Sequence, residues 1–239
     1  MTFNRKTFTK TSMKKVFMPS DQANGFSLIE IALVLLVVGV LTAGLMKGYR
    51  FLKQARLQRT AAQLTSIRLA LTAFKERYQA LPGDWAEAQD YFTDTRSGNG
   101  DWTLTGNPLT PFSETSLFWH HLVLTQMLKD VTFFTNHKRG RDKGIFVPKA
   151  SIGCGLFALS NPDSLQGLWI LLANPTNPHK AHLSPQDAHA LDQQLDNGDP
   201  LSGRVQARTA PQAASPCVIN GRYNLSHKKS VCLVYVALD

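Results

Sequence analysis

The sequence has 239 residues and little of what marks the specialised classes of protein. Its three cysteines are too few for a disulfide-rich scaffold and lack the spacing of a zinc finger. Sixteen glycines and twelve prolines exclude collagen-like and low-complexity chains. Charged residues make up only 18% of the chain against 43% hydrophobic residues, which excludes a disordered protein. The length therefore predicts a globular protein of one or two domains.

Recognisable catalytic motifs are also absent from the sequence. It contains no Gly-x-Ser-x-Gly elbow, no phosphate-binding P-loop and no His-Glu-x-x-His zinc motif. A secreted enzyme would need a catalytic constellation of this kind. We therefore predict that the protein is not an enzyme, and we expect no cofactor.

Positive charge exceeds negative charge, but the excess is unevenly distributed. Lysine and arginine total 26 against 17 aspartate and glutamate residues, for a formal charge of +9, and residues 1–25 hold five of the basic residues. A second basic cluster, Lys138–Lys143, comes shortly after an aromatic pair at positions 133 and 134 and has the charge to bind DNA or an acidic surface. A solvated loop is the simpler interpretation, so nucleic acid is a secondary hypothesis.

One apolar run dominates the N-terminal part of the chain. Residues 26–46 contain a single ionisable side chain, Glu30, and as a helix they would span roughly 30 Å, the thickness of a hydrocarbon core. We predict a transmembrane segment here, with the basic residues before it on the cytoplasmic side. An ordinary signal peptide is the alternative, although its apolar region would be shorter and Thr42-Ala43-Gly44 is a mediocre cleavage site.

Glu30 is the informative residue of this run. A carboxylate in an apolar segment costs a few kcal/mol unless it is protonated or paired with a cation. One candidate partner is the free α-amino group of a neighbouring copy whose chain begins at Phe26. The alternative is that Glu30 lies at the level of the lipid headgroups.

The residues Gly25-Phe26-Ser27-Leu28-Ile29-Glu30, followed by the apolar run, resemble the signal of type IV prepilins and type II secretion pseudopilins. The resemblance implies that a prepilin peptidase removes the leader, residues 1–25, by cutting after Gly25, and that it N-methylates Phe26. It also implies that Glu30 neutralises the amino terminus of a neighbouring subunit during assembly. The leader is long for the family and its basic residues lie far from the cleavage site, so Met13 is an alternative start.

The resemblance also implies where the protein is located and what it contacts. It predicts a single-pass inner-membrane protein with a periplasmic globular domain, later part of a pilus or pseudopilus. The implied partners are the prepilin peptidase, other pilin or pseudopilin subunits, the inner-membrane assembly platform and inner-membrane lipid. The motifs Leu81–Asp84, Glu114–Leu122 and Asp196–Gly203 are similar to segments of some larger pilin-like proteins.

The helical pattern continues beyond the apolar run. Residues 47–80 read as an amphipathic helix, because apolar side chains recur every three or four residues until Leu81-Pro82-Gly83-Asp84 ends the pattern. Its predicted apolar stripe consists of Leu57, Ala61, Leu64, Ile67, Leu71, Phe74 and Tyr78. The predicted stem is thus one long helix with a transmembrane first half and an amphipathic second half.

Residues 81–239 are predicted to form a periplasmic or extracellular globular domain. Short helices are expected at residues 84–92, 114–129 and 184–197, the last capped by Ser184. Strands are expected at residues 144–147, 167–172 and 231–238, and residues 204–216 read as a surface loop. The predicted fold class is therefore α+β and pilin-like, with the long N-terminal helix packed on a domain of short helices and a small antiparallel sheet.

The remaining candidate sites are few. Pilins commonly clip their C-terminal strands with a disulfide, and in an oxidising periplasm the resemblance implies the pair Cys217–Cys232; two buried free thiols are the alternative. Cys154 would be unpaired and buried. Calcium is a minor hypothesis, since no loop has EF-hand spacing and solvated turns explain the residues equally well. Its candidate ligands are Asp94, Asn99, Asp101, Asp196 and Asp199.

These observations predict a structural subunit, more specifically a minor pilin-like subunit of a type IV pilus or related filament. A mature chain beginning at Phe26 is large for a major pilin. A type II secretion pseudopilin is the close alternative. A bitopic membrane protein that does not assemble, and whose periplasmic domain binds a ligand or DNA, is the second.

Overall fold

The computed structural model describes residues 27–134 and 145–238, with four α-helices. Helix α1 covers Leu28–Tyr78, α2 covers Ala88–Tyr91, α3 covers Glu114–Leu124 and α4 covers Pro185–Leu195. Helix α4 begins as its sequence predicts, because the Ser184 side chain accepts a hydrogen bond from the backbone N–H of Asp187. A 3₁₀ turn covers Pro162–Ser164.

The strands form a small antiparallel sheet and a separate hairpin. Strands β1 (Gly155–Ser160), β2 (Leu168–Ala173), β3 (Val205–Thr209) and β6 (Cys232–Ala237) pair in the order β1-β2-β6-β3. All three pairings are antiparallel. Strands β4 (Val218–Ile219) and β5 (Arg222–Tyr223) form the hairpin. The described fold is therefore α+β with a small antiparallel sheet.

The chain divides into two units, residues 1–47 and residues 48–239. In the second unit, the predicted apolar stripe of α1 is the buried side of the helix. Leu57, Leu64, Ile67, Leu71 and Phe74 are at most 3% exposed, and Ala61 and Tyr78 pack against the same core at partial exposure. The three- and four-residue spacing places these side chains on one side, so residues 48–78 bury an apolar face in the domain core.

The predicted fold class is wrong in its membrane component. No helix within residues 27–134 and 145–238 has both the length and the hydropathy needed to cross a membrane. The transmembrane first half predicted for residues 26–46, and with it the pilin-like form of the fold class, is corrected accordingly.

The two faces of the four-stranded sheet are both apolar but pack against different partners. The inner face, which includes Leu156, Ile170 and Val234, joins the core formed with α1, α3 and α4. The alternate residues of the same strands point to the outer face, where Phe157, Leu171 and Tyr235 belong to a second, smaller buried cluster. The sheet thus has a second apolar surface.

Candidate assembly site

The predicted charge partner, Glu30, lies in the first turn of α1. The backbone N–H groups of Glu30 and Ile31 donate to the carbonyl oxygen of Ser27 at 3.0 and 3.2 Å, which closes the first turn. The Glu30 side chain is exposed. A carboxylate at this position also interacts favourably with the positive end of the helix dipole, by about 0.3–1 kcal/mol. Glu30 is therefore free to meet a cation from outside the chain.

The helix that follows Glu30 exposes apolar side chains on every side. Six successive residues, 33–38, are large and apolar and at least 46% exposed, and successive helical residues are rotated by about 100°, so they surround the helix axis. A helix that is apolar all round is normally buried all round. The exposed set, which we call the apolar sleeve, is Leu28, Ile29, Ile31, Leu33, Val34, Leu35, Leu36, Val37, Val38, Val40 and Leu41.

A glycine interrupts the apolar sleeve. A Cβ added at Gly39 would meet no atom of the chain within 4 Å, so no contact of the described residues requires glycine at this position. Glycine inside a helix costs roughly 0.5–1 kcal/mol relative to alanine. Gly39 therefore leaves open space beside the helix backbone.

Several predicted sites lie outside the described residues. Gly25 and Phe26, the residues of the predicted cleavage and N-methylation, precede Ser27, the first described residue. The basic cluster Lys138–Lys143 lies between the two described ranges. Cleavage, methylation and nucleic-acid binding by that cluster therefore stay predictions.

The disulfide expected near the C-terminus is present. Cys217 and Cys232 are joined, with their Cα atoms 5.1 Å apart, and both residues are fully buried. The bond attaches the β4–β5 hairpin to the start of β6, and the backbone N–H of Cys217 also donates to the Thr209 hydroxyl at 2.9 Å. Cys154 is a free, buried thiol, and burial raises its pKa to about 12, so it stays protonated and unreactive at neutral pH.

Four of the five residues proposed as calcium ligands, Asn99, Asp101, Asp196 and Asp199, accept hydrogen bonds from nearby backbone N–H groups. Asp101 Oδ1 accepts from the N–H of Thr103 at 2.8 Å, and Asn99 Oδ1 accepts from the N–H of Asp101 at 3.0 Å. Asp196 likewise accepts from the backbone N–H of Arg204. Across residues 27–134 and 145–238, no three His, Cys, Asp or Glu side chains are grouped as a metal ion would require. The geometry supports a turn-stabilising role for these oxygens.

A buried histidine network in the second unit is not evident in the sequence. The Gly83 N–H donates to His121 Nδ1 at 2.9 Å, so the neutral ring carries its proton on Nε2. That Nε2 lies 3.0 Å from the carbonyl oxygen of Arg96 and 3.1 Å from the Thr95 hydroxyl. The Thr95 hydroxyl is also 3.1 Å from His120 Nδ1. Both nitrogens of the neutral His121 ring are thereby satisfied.

We expect His121 to make the stability of the domain depend on pH. Burial lowers the pKa of His121 from 6.5 to about 4. Between these values the unfolded chain binds more protons than the folded chain, so the stabilisation is complete above pH 6.5 and falls as the pH drops toward 4. The loss is about 3 kcal/mol at 1.36 kcal/mol per pKa unit. Burial also lowers the pKa of His120 and of His182, so a part of the slope has other sources. Urea unfolding measured from pH 4 to 7 should show the slope in the wild type and a markedly shallower one in His121→Asn.

The exposed His179 provides the matched control for that measurement. His179→Asn should leave the difference in unfolding free energy between pH 4 and pH 7 unchanged. A full slope in His121→Asn would contradict the assignment of the titration to His121.

Among the described residues of the first unit, the most prominent surface that lacks a packing partner is the apolar sleeve, with Glu30 near its start. Sequence reasoning located Glu30 and the apolar run but did not foresee the His121 network, which joins residues up to 38 positions apart. A comparison with known proteins adds no relative: no family model, no curated protein and no solved structure matches this chain.

Proposed function

We propose that the chain is a non-enzymatic structural subunit of a type IV pilus or a related filament, cleaved after Gly25 and assembled through the first part of α1. The observation that carries this proposal is the apolar sleeve, which is exposed on every side of the helix. A minor subunit is the form we favour, because the mature chain is large for a major pilin.

An apolar surface that surrounds a helix needs several neighbours to cover it. Burial of each large aliphatic side chain is worth about 1.5–3 kcal/mol, so the eleven residues of the sleeve together provide a strong driving force for association. A single partner helix covers only one side. The core of a filament, in which each helix is surrounded by the equivalent helices of other subunits, covers all sides.

Open space at Gly39 agrees with this arrangement. A missing Cβ permits close approach of a second helix, and the chain itself places nothing there within 4 Å. The occupant that we propose is the equivalent apolar helix of another pilin-like subunit.

In our proposal, Glu30 determines how far neighbouring subunits are displaced from one another along the filament axis. Cleavage after Gly25 would leave a positively charged amino group on Phe26, four residues before Glu30. A neighbouring subunit displaced along the filament axis would bring that amino group to the exposed Glu30 carboxylate. In apolar surroundings each charge needs the other, so only displacements that pair them are favourable.

The cysteines support a location of the second unit outside the cytoplasm. The chain contains a buried disulfide, and disulfides form and persist in oxidising compartments. The remaining thiol, Cys154, is buried and does not compete in thiol exchange. A periplasmic second unit is the location we propose.

The mass of the N-terminal peptide tests the proposed processing. In cells with an active prepilin peptidase we expect a peptide that begins at Phe26 and carries one additional methyl group. In a strain without the peptidase we expect the leader to stay attached. An uncleaved leader in both strains would contradict the proposal and favour a bitopic protein that does not assemble. Cleavage near Gly44 would also contradict the proposal, because it would remove the apolar sleeve on which the proposal rests.

A further inference from the structure

A cleft of about 500 Å³ opens on the outer face of the four-stranded sheet, within the second unit. Its floor is formed by side chains of β2 and β6, and its rim by the segments around Pro108, Pro178 and Pro211. This volume is within the range of protein sites that bind small molecules. The cleft lies on the side of the sheet opposite the α1 core and shares no residue with the apolar sleeve.

The floor of the cleft is apolar. Leu171 on β2 pairs in register with Tyr235 on β6, and both side chains, together with that of Leu233, are at most 4% exposed. These side chains belong to the outer buried cluster of the sheet. A ligand that reaches this floor would therefore contact only the exposed edges of leucine and tyrosine side chains.

Arg208 brings a positive charge into this apolar cleft. It lies on β3 opposite Leu233 and is half-buried. Its Nη2 donates to Gln206 Oε1 at 3.1 Å and its Nη1 to the carbonyl oxygen of Ala207 at 3.3 Å, which orients the guanidinium. Among the described residues Arg208 forms no ion pair. An oriented guanidinium without an acidic partner matches the planar, two-oxygen geometry of a carboxylate.

The carboxylate of the cleft, Asp163, is already engaged. Tyr235 donates its hydroxyl proton to Asp163 Oδ2 across 72 positions of sequence. Burial, and then the hydrogen bond to Asp163, raise the pKa of Tyr235, so the phenol keeps its proton at neutral pH. Asp163 reaches this position from a turn in which it has a φ of 46°. Arg208 is thus the charged side chain of the cleft that is not paired with another charged group and can bind a ligand.

We propose that this cleft binds a small carboxylate with an apolar body, the carboxylate on the Arg208 guanidinium and the body against Leu171 and Leu233. Neither feature is sufficient alone. The apolar floor supplies contact area without specificity, and Arg208 selects the anion. This site is independent of the proposed assembly function.

Equilibrium dialysis of the full chain against radiolabelled phenylacetate tests the site. Phenylacetate combines a carboxylate with a six-carbon ring, and phenylacetamide is its uncharged counterpart. We expect saturable binding of phenylacetate with a Kd of about 1 mM or tighter, as ligand efficiency allows for ten non-hydrogen atoms, and at least about tenfold weaker binding of phenylacetamide.

Variants of arginine identify the group responsible. Arg208→Gln should weaken phenylacetate binding at least about tenfold, and Arg208→Lys, which keeps the charge but not the planar fork, should have an intermediate effect. Arg204→Gln, at an exposed position outside the cleft, is the matched control and should bind as the wild type does. Near-UV circular dichroism establishes that each variant is folded.

Three results would overturn the proposal. The first is the absence of saturable phenylacetate binding up to 10 mM, a limit set about tenfold above the expected Kd. The second is equal affinity for phenylacetamide, which would indicate an apolar cleft covered by a protein segment instead. The third is unchanged phenylacetate binding by folded Arg208→Gln.

Discussion

Replacing Glu30 with valine is expected to abolish incorporation of the chain into filaments while leaving cleavage after Gly25 unchanged. In the proposed packing the Glu30 carboxylate pairs with the amino group of Phe26 on a neighbouring subunit. Removing one member of a buried pair leaves the other charge uncompensated, at a cost of about 3–5 kcal/mol. At 1.4 kcal/mol for each factor of ten, incorporation should fall on the order of 100-fold or more.

The measurement is the amount of chain recovered with sheared filaments relative to the amount retained by the cells. Glu76→Val is the matched control, because Glu76 is also an exposed glutamate of α1 but belongs to the second unit and not to the apolar sleeve. That variant should be incorporated normally.

Glu30→Gln distinguishes charge pairing from an ordinary polar role in the first turn. Glutamine retains the shape and hydrogen-bonding capacity of the side chain but not its charge. If charge pairing sets the register, Glu30→Gln fails as Glu30→Val does. Normal assembly of both variants would remove the assembly role from Glu30 and leave only its modest interaction with the helix dipole.

The parts of the fold that the sequence predicted correctly depend on strong local signals. The stripe of residues 57–78 has a regular helical period, and its large side chains leave no other face for burial. Helix α4 combines a Ser184 cap with Pro185 in the first turn, two signals that act within a few residues. The strand predicted at residues 231–238 is an unbroken β-prone run and is observed as β6.

Strand β3 was missed because its local signal is weak. Residues 204–216 read as a loop because they are polar and rich in alanine and proline, yet Val205–Thr209 form β3. Apolar and polar side chains do alternate in this strand, since Val205 and Ala207 point to the core and Gln206 and Arg208 point away from it. One of the two buried side chains is only an alanine, however, so the apolar half of the pattern is weak. Conversely, residues 145–147 are not a strand: the segment that follows them forms only isolated bridges, Pro148 with Phe133 and Lys149 with Gly155, and Pro148 has no N–H with which to extend them into a ladder.

The candidate sites also differ in whether a local sequence signal marks them. Glu30 could be identified from the sequence because a carboxylate is unusual within the apolar run that surrounds it. Arg208 and the Asp163–Tyr235 pair depend on strand register, which brings together residues far apart in sequence. No pattern within a short window indicates that a tyrosine of the last strand will engage an aspartate 72 positions earlier.

The second large effect concerns Gly83, which follows α1 and packs directly on α3. Its φ of +89° disfavours any other residue, at a cost of about 1–2 kcal/mol. A Cβ at this position would also lie against the carbonyl oxygen of Glu114 and 2.9 Å from the backbone nitrogen of Phe118. Helical geometry pairs these two groups in one hydrogen bond, so neither can move away cheaply.

Gly83→Ala should therefore destabilise the second unit by about 4 kcal/mol, since overpacking adds about 1–3 kcal/mol to the cost of the left-handed conformation. Gly100→Ala is the matched control. Its φ of +78° imposes the same strain, but the nearest atom to its Cβ would be that of Ala86 at an ordinary 3.5 Å. Urea unfolding followed by near-UV circular dichroism should give a loss of only about 1–2 kcal/mol for Gly100→Ala. Equal losses in the two variants would show that the backbone conformation alone, and not the contact with α3, requires glycine at position 83.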